Sequence, residues 1–365
     1  MGNLEINKNF SMFKNKRVLI TGDTGFKGSW LSLWLSMLGA KVYGFALPPE
    51  GKYCNYNSIG LKNIINHTDG DIREIDSLQK AFDKIKPEIV FHLAAQALVR
   101  KSYNEPKLTF DTNLSGSINV MEAALKTKSL KALVMITSDK CYKNKEWLWG
   151  YRENDEFGGD DPYSASKAAA EIAIHSYKKS FFDKINTGFA SARAGNVIGG
   201  GDWSENRIIP DTIKALSQKK SVIVRNPNST RPWQHVLEPL SGYITLASKL
   251  LADPKKYSGS WNFGPDSSSI KTVHELVKLA ITQWGSGKID VIKEKNAPHE
   301  AGLLHLNCDK ANSLLKWNAT WGFKTSVINT IDWYKEFAKK SDMLEVSKKQ
   351  IKKYMGGETL KCITL

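Results

Sequence analysis

Lys16-Arg17-Val18-Leu19-Ile20-Thr21-Gly22-Asp23-Thr24-Gly25-Phe26-Lys27-Gly28-Ser29-Trp30 runs from an apolar segment through three spaced glycines into the periodic Leu31, Leu35 and Leu38. That order reads as strand, glycine turn, helix. Gly22 permits a tight turn, Gly25 lets the backbone approach a pyrophosphate at the helix N-terminus, and Gly28 lets the helix pack closely on the strand. The spacing is G-x-x-G-x-x-G rather than G-x-G-x-x-G. Its place between a strand and a helix favours a nucleotide-binding fold over a glycine turn without a ligand.

Working outward, Lys41 to Leu47 reads as a second strand, with no acid at its end to hold a ribose 2'-hydroxyl, so this position does not separate NAD from NADP. Asp69-Gly70-Asp71-Ile72-Arg73 ends a third segment and places Asp71 either against an adenine amino group or in a plain turn. Pro87 to Gln96 is a buried strand that runs out into Leu93, Ala94 and Ala95, small enough for a flat cofactor to lie across them. A helix around Asn113 to Leu125 leads to the strand Ala132 to Ile136, whose tip is Thr137-Ser138-Asp139-Lys140. Ligands of an open parallel sheet bind outside such tips, although Ser and Asp also serve simple turns.

Lys143 to Asp160 reads as a loop feeding the helix that Asp161-Pro162-Tyr163-Ser164-Ala165-Ser166-Lys167-Ala168-Ala169-Ala170-Glu171 opens. Tyr163 and Lys167 are one helical turn apart, and an ammonium beside a phenol favours the phenolate, a base suited to an alcohol. Further on, a strand at Gly188 to Ala192 enters the glycine-dense loop Arg193 to Trp203. Asn196, Arg207 and Arg231 nearby are able to hydrogen-bond phosphates or to pair on the surface. The pattern from Val236 to Leu251 reads as a helix returning to the first lobe, and Val273 to Trp284 as a helix of a smaller one. The lysine-rich chain from Lys335 onward reads as an exposed helix or a partly disordered tail.

With 365 residues, 41% hydrophobic and 24% charged, the chain is long enough for two lobes and ordinary for a globular protein. No apolar run reaches the roughly 18 to 20 residues of a membrane span, and the start lacks a signal peptide's apolar centre, so a cytoplasmic protein is expected. Cys54, Cys141, Cys308 and Cys362 are far apart, and His274-Glu275 lacks a second histidine at zincin spacing, so neither a disulfide framework nor a metal is expected. The net charge of +15 is spread as scattered lysines rather than a stripe, which points away from nucleic acid and toward small phosphate-bearing molecules. Cys362-Ile363-Thr364-Leu365 has the form of a prenylation box but lacks a polybasic run beside it, so no membrane anchor is expected.

Gly22-x-x-Gly25-x-x-Gly28, Thr137-Ser138-Asp139 and Tyr163-x-x-x-Lys167 together resemble the extended short-chain dehydrogenase/reductase family of nucleotide-sugar enzymes, over about residues 13 to 335. Within it, Gly25-Phe26-Lys27-Gly28-Ser29-Trp30-Leu31, Arg193 to Trp203 and Arg231-Pro232-Trp233-Gln234-His235-Val236 resemble the branch that dehydrates CDP-glucose. Lys27 stands where most relatives are aliphatic, and Lys140 where the dTDP-glucose branch has Glu.

The resemblance implies an α/β fold: a Rossmann-type doubly wound parallel sheet with a smaller, discontinuous C-terminal substrate lobe. It implies an NAD-binding domain of residues 13–195 plus about 234–265, a substrate lobe of about 196–233 and 266–335, and a tail of 336–365. NAD would lie against Gly22, Thr24, Gly25, Phe26, Lys27 and Gly28, against Asp71 and Ile72, against Leu93, Ala94 and Ala95, and against Tyr163 and Lys167. The substrate, CDP-glucose, would meet Gln96, Asn196, Arg207, Arg231 and His299. The implied catalytic set is Ser138, Asp139, Lys140, Tyr163 and Lys167. Tyr163 would take the proton of the sugar 4-hydroxyl as C4 is oxidised, with Ser138 holding the oxygen and Lys167 holding Tyr163 and the ribose. Asp139 would be the acid for the departing C6 hydroxyl, and Lys140 either the C5 base or the group that stabilises the enolate. Hydride then returns to C6, an early step toward deoxy sugars of surface polysaccharides such as O-antigen. A GDP-mannose-type or dTDP-glucose-type dehydratase and a 4-epimerase are the alternatives within enzymology, and a non-catalytic NAD-binding regulator is the one outside it. A homodimer or homotetramer is expected from the family's pairing through helices.

Overall fold

The computed structural model describes residues 10–51, 53–292 and 303–356. Its frame is a seven-stranded parallel sheet: β1 (Arg17–Thr21), β2 (Lys41–Ala46), β3 (Asn66–Asp69), β4 (Ile89–His92), β5 (Ala132–Ile136), β6 (Gly188–Ala194) and β7 (Gly259–Phe263), in the spatial order β7-β6-β5-β4-β1-β2-β3. Strand order reverses between β1 and β4, and that switch point opens a crevice at the carboxyl ends of the strands.

The central strands are apolar on both faces because both faces are covered. Successive residues of β1 divide between two cores: Val18 and Ile20 pack on one side, Leu19 on the other. The first core also holds Trp30, Leu31, Trp34 and Leu35 of helix α1 (Phe26–Met37). The second holds Leu78 and Phe82 of α2 (Ile75–Ile85) and Val120 and Met121 of α3 (Gly116–Leu125). A five-residue π-turn, Asp111–Ser115, precedes α3. Helix α4 (Pro162–Ser180) starts where expected: Asp161 caps it, its carboxylate accepting from the Ser164 N–H at 3.0 Å, and Pro162 occupies the first turn, where a missing N–H costs nothing.

After β6 the chain leaves the sheet for α5 (Ile208–Ser217) and the short strand Val222–Val224, then returns through α6 (Leu237–Ala252) to β7. Helix α7 (Val273–Trp284) carries a full capping box between Thr272 and Glu275, and it packs on α8 (Phe323–Ala338).

The end of the chain departs from its sequence reading. It is neither an exposed helix nor a disordered tail up to residue 356, because α9 (Met343–Tyr354) is docked. Met343, Ser347, Gln350, Ile351 and Tyr354 recur at helical spacing and are buried, so the lysines between them fall on the outer face. Tyr354 meets Trp34 and Trp321 edge-on at 5.5 and 5.1 Å and donates its hydroxyl to Glu238 at 2.8 Å. Cys362 and the box-like last residues lie outside the described residues. Cys54, Cys141 and Cys308 are free thiols.

Candidate active site

The glycine turn has the form its spacing predicts. Gly22 adopts φ +78°, and a Cβ there would lie 2.6 Å from the Ala94 amide nitrogen, so β1 and β4 meet closely at the switch point. A Cβ on Gly28 would sit 2.0 Å from the Gly22 carbonyl oxygen, so any side chain would lift α1 off the turn. Helix α1 begins at Gly25 with no side-chain cap and no acid in its first turn. Its first N–H groups and positive dipole end therefore face the crevice unopposed, a cradle that fits the pyrophosphate of a dinucleotide. Underneath, Asp23 is fully buried and receives His67 Nδ1 at 2.7 Å, and that hydrogen bond raises the His67 pKa. Gly44 leaves room for this carboxylate, since a Cβ there would fall 2.1 Å from it.

The crevice is a single cleft of about 1540 Å³ lined by Gly22, Thr24–Gly28, Asp71, Ile72 and Leu93–Ala95 on its cofactor side. All the residues that the resemblance assigns to NAD line it. Two of them are less free than the sequence suggests. The Thr24 hydroxyl donates to the Leu47 carbonyl at 3.0 Å, and the Asp71 carboxylate accepts from Arg73 Nε at 2.9 and 3.0 Å, a pairing that lowers its pKa.

At the β5 tip, Ser138 donates to Asp139 Oδ1 at 2.9 Å. Asp139 Oδ2 is buried and has no hydrogen-bond partner among the described residues. Burial raises the Asp139 pKa against the pull of Lys140, Ser138 and Lys27, so its proton is held more tightly than in water. Lys140 is partly exposed to the cleft, and its N–H donates to Ser138 Oγ at 3.2 Å.

Tyr163 and Lys167 are both buried and line the same cleft. Burial pushes the Tyr163 phenol up to about 12, with Ser138 and Arg207 acting the other way, and burial lowers Lys167 to about 8 against the pull of Glu171. In the free protein burial thus favours the neutral form of both groups.

Behind the tip lies a pair that the sequence reading passed over. Arg193 of β6 and Glu171 of α4 are 0% and 1% exposed, joined at 2.9 Å through Nε and 2.8 Å through Nη2. Glu171 also accepts from Thr137 and, at 2.9 Å, from Ser191. Arg193 lies over the rings of Tyr142 and Phe157 and donates to the Glu153 carbonyl at 2.9 Å. Despite the cost of burial, Arg193 holds the Glu171 carboxyl below its usual range. One usable signal was in the sequence: Glu171 follows Lys167 by four residues, on the same helical face.

The substrate side is mixed. Arg207 pairs with Asp202 at 2.8 Å, Arg231 Nη1 donates to the Thr230 carbonyl at 2.8 Å, and both arginines line the cleft with Asn196. Gln96 is spent on its own loop: both amide hydrogens are used, to Leu98 O at 3.1 Å and Thr109 Oγ1 at 2.9 Å, while Oε1 accepts from the Leu98 N–H at 2.7 Å. It shapes the wall rather than offering donors to a substrate. Lys27, assigned to the cofactor, lines the cleft, and burial with the Arg207 charge lowers its ammonium to about 8 against the pull of Asp139. His299 lies outside the described residues.

Comparison with known proteins follows this geometry. Residues 19–330 match the GDP-mannose 4,6 dehydratase family. The chain is similar to the CDP-glucose 4,6-dehydratase of Salmonella typhimurium, 46% identical over 359 residues that cover 97% of this chain and 99% of that protein. It is similar in fold to the dTDP-glucose 4,6-dehydratase of Bacillus anthracis in complex with NAD, at TM-score 0.73 and 22% identity over 90% and 99% of the two chains. A UDP-glucose 4-epimerase of Stenotrophomonas maltophila with bound NAD and formylated UDP-arabinopyranose superimposes at TM-score 0.77 and 20% identity over 90% and 100%.

Proposed function

The chain belongs to the GDP-mannose 4,6-dehydratase family, and we propose that it converts CDP-D-glucose to CDP-4-dehydro-6-deoxy-D-glucose and water, a lyase that uses NAD catalytically. The observation that carries this reading is the near full-length 46% identity to a CDP-glucose 4,6-dehydratase, joined to a buried acid beside the buried tyrosine. An epimerase needs no acid at Asp139. A carboxyl whose proton is held by burial suits the loss of a hydroxyl.

NAD, when bound, supplies the hydride acceptor for C4, the hydride donor for C6 and a positive charge that favours the Tyr163 phenolate. The N-terminus of α1 and the Gly22 turn would hold its pyrophosphate, Asp71 its adenine and Lys167 its ribose. Tyr163 takes the proton of the sugar 4-hydroxyl while Ser138 holds that oxygen. The 4-ketone acidifies the C5 hydrogen, Lys140 removes it, and Asp139 gives its proton to the hydroxyl leaving C6. Lys140 acts in this step as the free amine, which takes the C5 proton to become the ammonium, and it is partly exposed and lines the cleft. Arg207, Arg231 and Asn196 serve the diphosphate.

We assign residues 13–195 with about 234–265 to the cofactor and about 196–233 with 266–335 to the nucleotide sugar. A homodimer or homotetramer and a cytoplasmic setting complete the reading. Exposed Ile172 midway along α4 and Phe181 just past its end support the first; separately, no described helix is long and apolar enough to cross a membrane.

The test is incubation of the NAD-loaded protein with CDP-glucose, dTDP-glucose and GDP-mannose, reading the alkali-induced absorbance of a 4-keto-6-deoxy sugar. Signal from CDP-glucose is expected. Signal from GDP-mannose alone would overturn the assignment.

A further inference from the structure

An acid stands where a phosphate is to be held. Asp23 follows Gly22 in the glycine turn, two residues before the N-cap of α1. A carboxylate at that place opposes an anion seated on the turn, unless it is turned away or its charge is cancelled. Both have happened. Thr24 and Gly25 line the cleft and Asp23 does not, and Asp23 is 0% exposed. Its side chain lies against β2, where a Cβ on Gly44 would meet Oδ2 at 2.1 Å, so the missing side chain of Gly44 makes the slot. The first turn of α1 closes from another side, since a Cβ on Gly28 would lie 2.8 Å from the Asp23 Cα.

The cancelling charge comes from β3. His67 is the register partner of Gly44 on the neighbouring strand; its Nδ1 lies 2.7 Å from Asp23 Oδ2 and its Nε2 lies 3.0 Å from Asp69 Oδ1. Both ring nitrogens thus face carboxylate oxygens. A neutral imidazole has one N–H and turns a lone pair on one of the two acids, whereas the imidazolium donates to both. The Asp69 side chain is 67% exposed, so water shares that end. At the other end Asp23 Oδ1 is buried with no hydrogen-bond partner among the described residues. Burial raises the Asp23 carboxyl against the pull of His67, and the Asp23 hydrogen bond raises His67, so the two groups hold one dissociable proton between them. Once that proton is gone, a carboxylate remains uncompensated in a dry pocket. The other titratable groups here stay neutral: Tyr56 meets the His67 ring edge-on at 5.5 Å and burial raises its phenol to about 12, and burial raises the Cys54 thiol at the start of the same short helix.

We propose that His67 is a positioning residue for the cofactor: the proton it shares with Asp23 cancels the acid built into the pyrophosphate turn, and losing that proton puts a buried negative charge behind the phosphates and loosens NAD. The inference goes beyond the function proposed above and holds for any sugar nucleotide that the cleft accepts.

The test is the dissociation constant of NAD for the full chain, measured from about pH 6 to 10 in wild type, Asp23→Asn, His67→Gln and the double variant. The favourable state is present at low pH and lost as His67 titrates, so wild type should bind NAD about 10-fold more weakly as pH rises from about 6.5 through the raised His67 value. Asp23→Asn has no charge to cancel, so this step should vanish, leaving only the climb near pH 8 that Lys167 gives to all four proteins. At about pH 7, His67→Gln should bind NAD about 10-fold more weakly than wild type, and removing the acid as well should restore affinity to within about 3-fold. A role in shape alone would make the double variant the weakest binder. A wild-type pH profile that Asp23→Asn leaves unchanged, or a double variant no tighter than His67→Gln, overturns the inference. Asp23→Asn keeps the side-chain volume and carries the test alone where His67→Gln does not fold.

Discussion

Tyr163 and Lys167 are pushed toward their neutral forms by the same burial, one upward and one downward, and that common cause sets what the free protein can do. Lys167, lowered to about 8, keeps its charge below that pH and loses it above. Its contribution to holding the cofactor is therefore present below about pH 8 and fades as pH rises. The dissociation constant of NAD measured from pH 6 to 10 should climb above about 8, and Lys167→Arg, which stays charged, should flatten the climb. Asp139 sets a second expectation. Asp139→Asn keeps the shape but has no proton to give, so turnover should drop about 100-fold. With substrate deuterated at C4, the isotope effect on kcat should shrink in the variant as elimination becomes limiting. An isotope effect as large as in wild type would mean that Asp139 does not act in the elimination. At this scale the sequence disclosed residue types at fixed offsets: Tyr163 with Lys167, and Ser138 with Asp139. It did not disclose that the Gln96 amide is consumed by Leu98 and Thr109, or that burial and the Arg207 charge lower the Lys27 ammonium. Those depend on which loops close on one another.

Among elements, the β5 tip and α4 must hold a fixed relation for Ser138 to meet the oxygen that Tyr163 deprotonates. The Glu171–Arg193 pair ties them: the carboxylate accepts from Thr137 at the tip and Ser191 on β6, and the guanidinium donates to the Tyr142 hydroxyl. Glu171→Gln leaves Arg193 charged in a dry core, which typically costs about 3 to 5 kcal/mol, and should lower Tm accordingly. In the folded fraction kcat should fall more than KM rises, since the tip shifts while the diphosphate contacts remain. Equal stability of variant and wild type by urea unfolding would contradict the clamp. The elements themselves were well marked in the sequence, because strands buried on both faces read as apolar runs and the helices carry caps such as Asp161-Pro162. The Glu171–Arg193 link was hidden. The two residues are 22 apart in the chain, and a buried arginine looks in sequence like a surface one.

For the whole molecule, the last helix closes the fold onto α1 and α6 through Glu238. That carboxyl is fully buried and accepts from the Thr320 and Trp321 N–H groups at 2.9 and 2.6 Å and from Tyr354, yet burial still raises it to about 7. The folded state keeps the Glu238 proton to a higher pH than the unfolded chain does, so stability falls as pH rises from about 4.5 to about 7. Relative to Glu238→Gln, which does not titrate, wild type should lose about 2 to 4 kcal/mol across that window in denaturant titrations. A difference independent of pH would show that Glu238 is ionised throughout. The docking of α9 escaped the sequence reading because its lysines dominate the composition, while the five positions that face the core are legible only as a helical stripe.

The central claim is a dehydration in which hydrogen moves within one sugar from C4 to C6. CDP-glucose deuterated at C4 should be converted to a product lighter by one water, with deuterium found at C6 by mass spectrometry and NMR. A product of unchanged mass, as an epimerase would give, or a dehydrated product without deuterium at C6, would contradict it.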